Sequence, residues 1–539
     1  MSILGLICLI LLGIPALLIL MAFVAPKPLF AAADGMIKRS MDAESYNQQS
    51  AYSGKGFAPQ HTELSHADIR VEGEIPDDLS GVYLRNGTNS QFSSTDSRVH
   101  MFNGDGMLHQ IQLLDGAATY SNTYVRTPRF AAGRAHGAEV FPEFGDIAGG
   151  GKPGLFKLIL STLKQRFGVI PKIETLENGS STTAIQKHGS KLYALQETCF
   201  PFALNTKLES GRLILDGSGD WDNFDGELQA PFTAHPKIDP ANGSWTTYST
   251  DLMSGALRYA LLEDGKLTKN VELANMDPAL SFLHDCYLTD NYSVFPDSSL
   301  RFNSKEMMGE HQSPFVFNAE YKLRFGVINR QHEAGDSVQW FTTDLPGHIW
   351  HTINAWEETR EDGGTDIVLS APVYRSYPST VPIHSPEEPH AYLTLYRLNL
   401  DSGEVTEQRQ LLDHFYERPS FNTHMIGKKT RYAYLLDEEA SGGIMGKGVL
   451  KYDVVNEQEV AYFDYGDFFG GEALFVARDG ASEEDDGYLI DLLMTENQAY
   501  LLILNAQSMT ELAKLHLPQR VPFGVHACWL TNGQLQELN

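Results

Sequence analysis

The sequence predicts an all-β fold of the β-propeller type, with a few helices and loops capping one face. Hairpin patterns recur in which Gly, Asn or Asp separates two β-prone runs, as in AIQKHGSKLYALQ and LLEDGKLTKNVEL. No stretch alternates strand with helix regularly, which argues against a parallel α/β sheet. The hairpins continue for about 470 residues without an obvious linker, a length that a propeller reaches by adding blades around one axis.

The N-terminus contains the most apolar segment. Residues 3–24 carry no charge and are long enough to span a bilayer as a helix. A transmembrane anchor is favoured because no Lys or Arg precedes this run, whereas AAA at 31–33 leaves a cleaved signal sequence as the alternative. Lys27, Lys38 and Arg39 follow the run and favour a membrane protein whose body is cytoplasmic. The predicted division is an anchor or signal (1–33), a polar tether (34–66) and a propeller domain (67–539).

One helix is predicted inside the body, at PGLFKLILSTLKQRFG, residues 153–168. Apolar side chains recur there at three- and four-residue spacing, and basic residues lie beside them without any acidic one. A helix with an apolar face and a basic rim is typical of segments that bind membrane lipid at the interface. The alternative is that the apolar face packs onto the propeller. The face consists of Phe156, Ile159, Leu160 and Leu163, and the rim of Lys157, Lys164 and Arg166.

Charge and cysteine content narrow the functional classes. The 539 residues include 69 acidic and 41 basic side chains, which gives a formal net charge of −28. This charge argues against nucleic acid as the main partner, because duplex binding needs a basic face. Beyond Cys8 in the apolar leader, Cys199, Cys286 and Cys528 are too few and too scattered for a disulfide framework or a CxxC metal site. A reducing compartment is therefore expected.

Four of the 18 histidines lie beside apolar or aromatic residues in what reads as a strand or strand end. They are dozens of residues apart, so no local motif such as HExxH is in use. Each taken alone is best interpreted as a buried histidine with a hydrogen-bond partner. In a propeller, however, every inner strand faces one axis, where four imidazoles would form a site for iron, copper or zinc. The four are His235 in FTAHPKIDP, His284 in FLHDCYL, His351 in HTINAWEE and His526 in VPFGVHACW.

The words around these histidines resemble the carotenoid cleavage oxygenase family. GVYLRNGTNSQF, HMFNGDGMLH, TAHPKIDP, FLHDCYLTDNYSVF, HTINAWEE and VPFGVHACW follow one another in the family's order, and the resemblance extends from residue 68 to the C-terminus. That family includes carotenoid-cleaving and stilbene-cleaving dioxygenases and the retinoid isomerase of the visual cycle. The resemblance implies a seven-bladed propeller with Fe(2+) on its axis, held by His235, His284, His351 and His526.

The resemblance also implies that three of the ligand imidazoles are held by Glu197, Glu417 and Glu472. A carboxylate that accepts the second ring N–H fixes the tautomer and orientation of a neutral, metal-binding imidazole. Each of these glutamates lies in an apolar stretch, where an unpaired carboxylate is costly. His348 in GHIWH is left out, because three residues along a strand from His351 a side chain points to the opposite face.

The function implied is an Fe(II)-dependent dioxygenase that cleaves a carbon–carbon double bond of a carotenoid or apocarotenoid with O₂ to give two carbonyl products. The implied partners are an apolar polyene, O₂ and membrane lipid. The first alternative is a stilbene-cleaving, lignostilbene-type dioxygenase, for which Tyr124 and Lys157 lie roughly where relatives grip a phenolic hydroxyl. Thr183 matches a threonine that crowds an open iron position in some relatives. A retinoid-type isomerase and a non-enzymatic binding propeller are the further alternatives, and the intact set of histidines and glutamates argues against the last.

Overall fold

The computed structural model describes residues 20–43, 55–92, 100–148, 150–250, 255–273, 280–309, 313–377, 390–439 and 445–538. These residues are mostly strands, as predicted. The α-helices are α1 (Pro26–Ala43), α2 (Pro128–His136), α3 (Phe144–Ile147), α4 (Gly151–Arg166) and α5 (Asn532–Gln536). Single 3₁₀ turns occur at Lys55–Phe57, Thr175–Glu177, Ser304–Met308 and Thr423–Met425.

The strands of the first half begin soon after the first 3₁₀ turn. They are β1 (Ala67–Asp68), β2 (Arg70–Gly73), β3 (Gly81–Arg85), β4 (Thr88–Asn89), β5 (Asp105–Leu114) and β6 (Ala117–Tyr124). Two groups of four follow: β7 (Ala184–His188), β8 (Lys191–Leu195), β9 (Phe202–Glu209) and β10 (Arg212–Trp221), then β11 (Lys237–Ile238), β12 (Trp245–Thr250), β13 (Leu257–Glu263) and β14 (Lys266–Glu272). The middle of the chain contains β15 (Leu280–Ser281), β16 (Tyr287–Leu288), β17 (Tyr292–Asp297), β18 (Leu300–Phe302), β19 (Phe315–Phe317), β20 (Arg324–Asn329) and β21 (Gln339–Thr342).

The remaining strands belong to the last three blades and the closing strand. They are β22 (Ala355–Thr359), β23 (Thr365–Tyr374), β24 (Ala391–Asn399) and β25 (Glu404–Gln410), then β26 (Tyr416–Ser420), β27 (Tyr432–Asp437), β28 (Gly448–Asp453) and β29 (Gln458–Asp464). After them come β30 (Leu474–Ala477), β31 (Gly487–Met494), β32 (Ala499–Asn505), β33 (Thr510–His516) and β34 (Ala527–Thr531).

Seven antiparallel sheets form the blades of a β-propeller, which confirms the predicted fold. Blade 1 has the order β1-β6-β5-β3-β34, with β4 beside β5, and blades 2 and 3 are β7 to β10 and β11 to β14. Blade 4 is β16-β17-β20-β21, blades 5 and 6 are β22 to β25 and β26 to β29, and blade 7 is β2-β33-β32-β31-β30. The small sheet β15-β18-β19 is separate from the blades.

The two ends of the propeller sequence close the ring. The C-terminal strand β34 pairs with β3, so that Arg85 lies opposite Ala527, and β2 pairs with β33 at the other junction. Neighbouring blades approach one another through their innermost strands, as β34 does with both β7 and β30. These innermost strands therefore surround the axis. Cys199, Cys286 and Cys528 are buried free thiols.

Helix α4 overlaps the helix predicted at residues 153–168, but its apolar side chains do not all face the same way. Phe156, Ile159 and Leu163 are 57%, 49% and 39% exposed, whereas Leu160 is only 8% exposed. The prediction that Leu160 belongs to the exposed face is therefore wrong. The physical reason is packing, since Leu160 lies on the side of the helix that is buried together with Pro153, Gly154 and Ser161, while Phe156, Ile159 and Leu163 lie on the side in solvent.

Helix α1 packs against α4 and joins the N-terminal region to the cap. The ring of Phe30 in α1 lies 5.8 Å from that of Phe167, the residue after α4, and Phe23, before α1, lies 5.2 Å from the same ring. Between the two helices, Lys164 Nζ lies 2.7 Å from Asp34 Oδ2. Part of the segment expected to be a tether is thus helical. The candidate anchor at residues 3–24 lies mostly outside the described residues, which begin at residue 20. Within the part of the chain that is described, every helix is too short or too polar to span a bilayer.

Candidate metal centre

The four histidines singled out in the sequence all lie just before an innermost strand. His235 is two residues before β11, His284 three before β16, His351 four before β22, and His526 directly precedes β34. The strands concerned belong to blades 3, 4, 5 and 1. Because innermost strands meet around the axis, their starting ends bring side chains from distant parts of the sequence to one point.

The imidazoles form a closed group around that point. One ring nitrogen of each histidine lies within 4.8 Å of the corresponding atoms of the other three. Around the group, the ring centroids are separated by 4.3 Å (His235 to His284), 5.1 Å (His284 to His351), 5.0 Å (His351 to His526) and 4.3 Å (His526 to His235). The two diagonals are 5.4 and 6.4 Å. Four nitrogens at this spacing can converge on a single cation.

Three of the rings lie against carboxylates on the side away from the group. His284 Nδ1 is 2.6 Å from Glu197 Oε1, and His351 Nδ1 is 2.6 Å from Glu417 Oε2. The third contact joins His526 Nδ1 to Glu472 Oε1 at 3.2 Å. A carboxylate that accepts a hydrogen bond from Nδ1–H keeps the ring proton on Nδ1 and leaves Nε2 as a lone-pair donor, which is the tautomer that a metal requires. In agreement, His351 Nε2 and His526 Nε2 approach each other to 3.3 Å.

Burial controls the charges at the centre. It depresses the pKa of His235 and His351 well below the usual range, and the neighbouring imidazoles act in the same direction. Burial alone would raise the pKa of Glu197 and Glu472, but contact with His284 and His526 outweighs it and lowers both. Burial also raises the pKa of Glu417 to about 7, against the opposing effect of Arg418. The imidazoles of His235 and His351 are therefore held neutral.

His235 differs from the other three because no carboxylate among the described residues lies on its ring. Its Nε2 is buried and has no hydrogen-bond partner there. A buried ring nitrogen without a partner is costly unless something else satisfies it. A cation held jointly with the other three imidazoles would do so, and nitrogen donors of this kind suit iron, copper or zinc.

His348 and Thr183, which the sequence analysis considered, lie outside the group of four imidazoles. His348 Nδ1 is 2.8 Å from Ser298 Oγ, and its ring meets the ring of Trp350 edge-on with centroids 4.4 Å apart. His348 is thus a buried histidine held by a hydroxyl. Thr183 Oγ1 lies 3.5 Å from Glu197 Oε2, to which it donates a long hydrogen bond.

A row of packed aromatic rings extends from His284 to helix α3. The centroid of Trp350 is 5.1 Å from that of His284 and 5.2 Å from that of Phe282. Phe282 is followed by Phe315 at 5.2 Å, and Phe315 by Phe144 of helix α3 at 6.1 Å. An apolar path of rings therefore connects the centre with the helical cap.

The residues proposed for phenol binding are engaged elsewhere. Tyr124 Oη accepts a hydrogen bond of 2.7 Å from Asn89 Nδ2, and Lys157 Nζ lies 2.5 Å from Asp146 Oδ2. Neither side chain is directed to the histidines by these contacts.

Sequence reasoning missed a set of polar residues adjacent to the ligands. Asp285 follows His284, Thr352 follows His351, and Lys237 is two residues after His235. Asp285 contacts both of the others. In the sequence, these residues are marked only by their positions next to the ligands and by the placement of Asp285 in the otherwise apolar segment FLHDCYL.

Comparison with known proteins places the chain among enzymes of one family. The sequence model of the family described as retinal pigment epithelial membrane protein matches residues 57–531. The chain is 33% identical over 508 residues to carotenoid 9,10(9′,10′)-cleavage dioxygenase 1 of Arabidopsis thaliana, covering 90% of this chain and 91% of the relative. It is 31% identical over 497 residues to a chloroplastic 9-cis-epoxycarotenoid dioxygenase of the same plant, covering 89% and 82%.

Solved structures share the fold. The crystal structure of the Pseudomonas brassicacearum lignostilbene dioxygenase superposes with a TM-score of 0.75 at 26% identity, covering 90% of this chain and 99% of that one. A cobalt-substituted Synechocystis apocarotenoid oxygenase gives a TM-score of 0.73 at 24% identity, covering 88% and 98%.

Proposed function

The chain belongs to the retinal pigment epithelial membrane protein family, and from this membership and the histidine cluster we propose that it is a non-haem Fe(II) dioxygenase. The resemblance to carotenoid cleavage oxygenases is thereby confirmed. The proposed reaction cleaves a carbon–carbon double bond of a carotenoid or apocarotenoid with O₂ and gives two carbonyl products. The observation that carries the proposal is the convergence of four imidazoles from four blades, and both plant relatives described above are named as carotenoid or epoxycarotenoid dioxygenases.

His235, His284, His351 and His526 would hold the iron. When bound, the iron supplies the chemistry that combines O₂ with the double bond. The chain's own contribution is to present four imidazole nitrogens, which as neutral ligands would leave the metal its full positive charge. Glu197, Glu417 and Glu472 hold the proton of three of these rings on Nδ1, facing away from the metal.

The aromatic path would hold the substrate. Trp350, Phe282 and Phe315 present ring surfaces next to His284, with no charge among them. A polyene gains free energy by leaving water for such a surface, which orients it without hydrogen bonds. The same apolar rings also exclude water from the space beside His284.

A lignostilbene-type activity is the second candidate, and the structural similarity to the Pseudomonas enzyme favours it. The contacts of Tyr124 and Lys157 argue for the carotenoid assignment, since both polar ends are already engaged. A retinoid-type isomerase would use the same metal centre without consuming O₂.

Product analysis separates these three activities. The purified protein, loaded with Fe(II), is incubated under isotopically labelled O₂ with a carotenoid, an apocarotenoid or a hydroxystilbene. We expect two carbonyl products from the polyenes, each carrying label when trapped quickly enough to prevent exchange with water. Cleavage of the stilbene alone would replace the proposed substrate class, and an isomerised product without label would replace the reaction.

We also propose that α4 contacts membrane lipid, from which an apolar polyene would be taken up. Phe156, Ile159 and Leu163 form an exposed apolar face, as interfacial helices require. Two of the expected basic residues are partly neutralised, because Lys157 pairs with Asp146 and Lys164 pairs with Asp34 of α1. The apolar area should therefore contribute more than the charge.

Liposome flotation tests this contact. The protein is expressed from residue 20, which removes most of the proposed anchor but keeps α1, and the full chain is compared with it. Changing Phe156 and Ile159 to Ser should abolish flotation, while the control Val460→Ser, at a position 44% exposed on the outer strand β29, should not. If the protein with Phe156 and Ile159 changed to Ser floats as well as the Val460→Ser control, the role of α4 is overturned. Flotation of the full chain alone would assign binding to residues 1–19 and support the single-pass anchor, with the body on the cytoplasmic side as a further proposal.

A further inference from the structure

His235 needs a restraint that the three glutamates do not supply. Its backbone N–H donates to Thr233 Oγ1 at 3.0 Å, and Thr233 Oγ1 lies 3.5 Å from the carbonyl oxygen of His284. Two residues further on, Lys237 Nζ lies 2.9 Å from Asp285 Oδ1. On both sides, the segment of His235 is therefore tied to the segment of His284.

Asp285 is the hub of these contacts, and it is also tied to the third ligand segment. Its Oδ2 accepts from the backbone N–H of Thr352 at 2.9 Å and from Thr352 Oγ1 at 2.7 Å. Its Oδ1 accepts from the backbone N–H of Cys286 at 2.7 Å, and Lys237 Nζ reaches both oxygens. Every acceptor direction of the carboxylate is occupied, so its position is fixed.

We propose that Lys237, Asp285 and Thr352, which we call the clip, hold three metal-ligating histidines at their mutual spacing. Each member lies one or two residues after a ligand, namely His235, His284 and His351. They come from three consecutive blades, because these segments lead into β11, β16 and β22. A carboxylate restrains each of the other three rings directly. The clip restrains the ring of His235 indirectly, through the backbone.

The chemistry of the clip suits this role. The side chains of Lys237 and Asp285 are only 17% and 3% exposed, so their contact is screened little by water. One positive and one negative charge cancel, which leaves the charge of the centre unchanged. Outer groups that orient ligands commonly alter metal affinity about 10- to 100-fold when they are removed.

The inference rests on the proposed metal centre, and Co(II) binding to the metal-free full chain tests both. Wild type should bind about one Co(II), with the absorption spectrum of a nitrogen-coordinated ion. Asp285→Asn should weaken Co(II) binding about 10- to 100-fold and change the spectrum, because the amide cannot accept from all its present donors. Thr352→Val should weaken binding less, since the backbone N–H of residue 352 remains, and Thr352→Ser should restore it.

A matched control separates positioning from general stability. Lys451 forms another buried ion pair, with Asp485 at 2.6 Å, in blade 6 and away from the ligand segments. Lys451→Met should lower the melting temperature as much as Lys237→Met does, yet leave Co(II) affinity and spectrum unchanged.

Each outcome has one meaning. Wild type without Co(II) binding would contradict the metal centre itself. Wild-type affinity and spectrum in Asp285→Asn and Thr352→Val would overturn the clip while leaving the centre intact. If Lys451→Met loses as much Co(II) affinity as Lys237→Met, general destabilisation explains the loss and the clip is overturned as well. If Asp285→Asn does not fold, the Co(II) affinities of Thr352→Val and Thr352→Ser are compared instead. Equal affinities in these two variants would overturn the clip.

Discussion

Replacing Glu472 by Gln should weaken metal binding more than the same change at Glu417, and the difference follows from what each oxygen contacts. Glu472 uses both oxygens as acceptors, Oε1 for His526 Nδ1 at 3.2 Å and Oε2 for the backbone N–H of Ala527 at 2.8 Å. A glutamine has only one oxygen, so its NH₂ group must face one of these two donors. Either the imidazole loses its acceptor or a buried N–H does.

Glu417 can accept the change with less damage. Its Oε2 receives both His351 Nδ1 at 2.6 Å and the backbone N–H of Arg418, while Oε1 has no hydrogen-bond partner among the described residues. A glutamine can place its oxygen where Oε2 is now, and its NH₂ group then meets no opposing donor. Only the charge is lost, which about halves the strength of such a hydrogen bond.

The expected magnitudes differ accordingly. For Glu417→Gln we expect metal affinity to fall about tenfold, or about 1.4 kcal/mol. For Glu472→Gln we expect about 100-fold, or about 2.8 kcal/mol, because an unsatisfied donor adds to the lost charge. Calorimetric titration of the metal-free proteins with Fe(II) under nitrogen measures both.

The control for this pair is Glu484→Gln, where a carboxylate accepts backbone N–H groups of Arg431 and Tyr432 far from any histidine of the centre. It should leave metal affinity unchanged. The reasoning is refuted if Glu417→Gln is the more damaging of the two, or if both bind iron as tightly as wild type.

Three further outcomes are expected. His284→Ala should lose bound iron and activity with the β-fold intact, whereas His348→Ala should keep its iron, because its contacts are with Ser298 and Trp350; equal iron content in the two variants would contradict the assignment. Burial raises the pKa of Asp105 from 3.8 to about 6, so between these pH values the folded chain retains a proton that the unfolded chain has lost, and the contribution of Asp105 to stability should fall as pH rises. Asp105→Asn should remove up to about 3 kcal/mol of this loss above pH 6 and nothing near pH 3, measured by urea unfolding, and parallel pH profiles would disprove it. Because Lys157 and Lys164 are paired, replacing anionic by neutral lipid should weaken flotation by less than about 2 kcal/mol, and complete dependence on anionic lipid would contradict the contribution of the apolar face.

The sequence was sufficient for the fold class, which depends on local patterns, and the family resemblance singled out the four histidines that the structure brings together. Hairpin turns and strand runs are short-range features, and each of His235, His284, His351 and His526 stands in a word that leads into an innermost strand. Local patterns could not show the clip, because Lys237, Asp285 and Thr352 meet only through the arrangement of three blades.

The side chain of Leu160 shows the same limit on the helical cap. Helical periodicity puts Leu160 on one broad face with Phe156 and Leu163, but periodicity does not say how far around the helix a neighbouring element covers that face. Helix α1, which supplies Phe30 and Asp34 against the end of α4, belongs to a region that reads as anchor and tether in the sequence. Burial on the cap therefore depends on a contact that no local pattern encodes.

The number of blades explains why one histidine lacks a carboxylate. The ligands enter from blades 3, 4, 5 and 1, and the carboxylates from the remaining three: Glu197 follows β8 in blade 2, Glu417 lies on β26 in blade 6, and Glu472 precedes β30 in blade 7. Each blade thus contributes one group to the axis. With four blades used for nitrogen ligands, three remain for carboxylates, and the fourth imidazole, His235, has to be held by other means. A restraint carried by the backbone between adjacent blades, as in the clip, needs no further position on the axis.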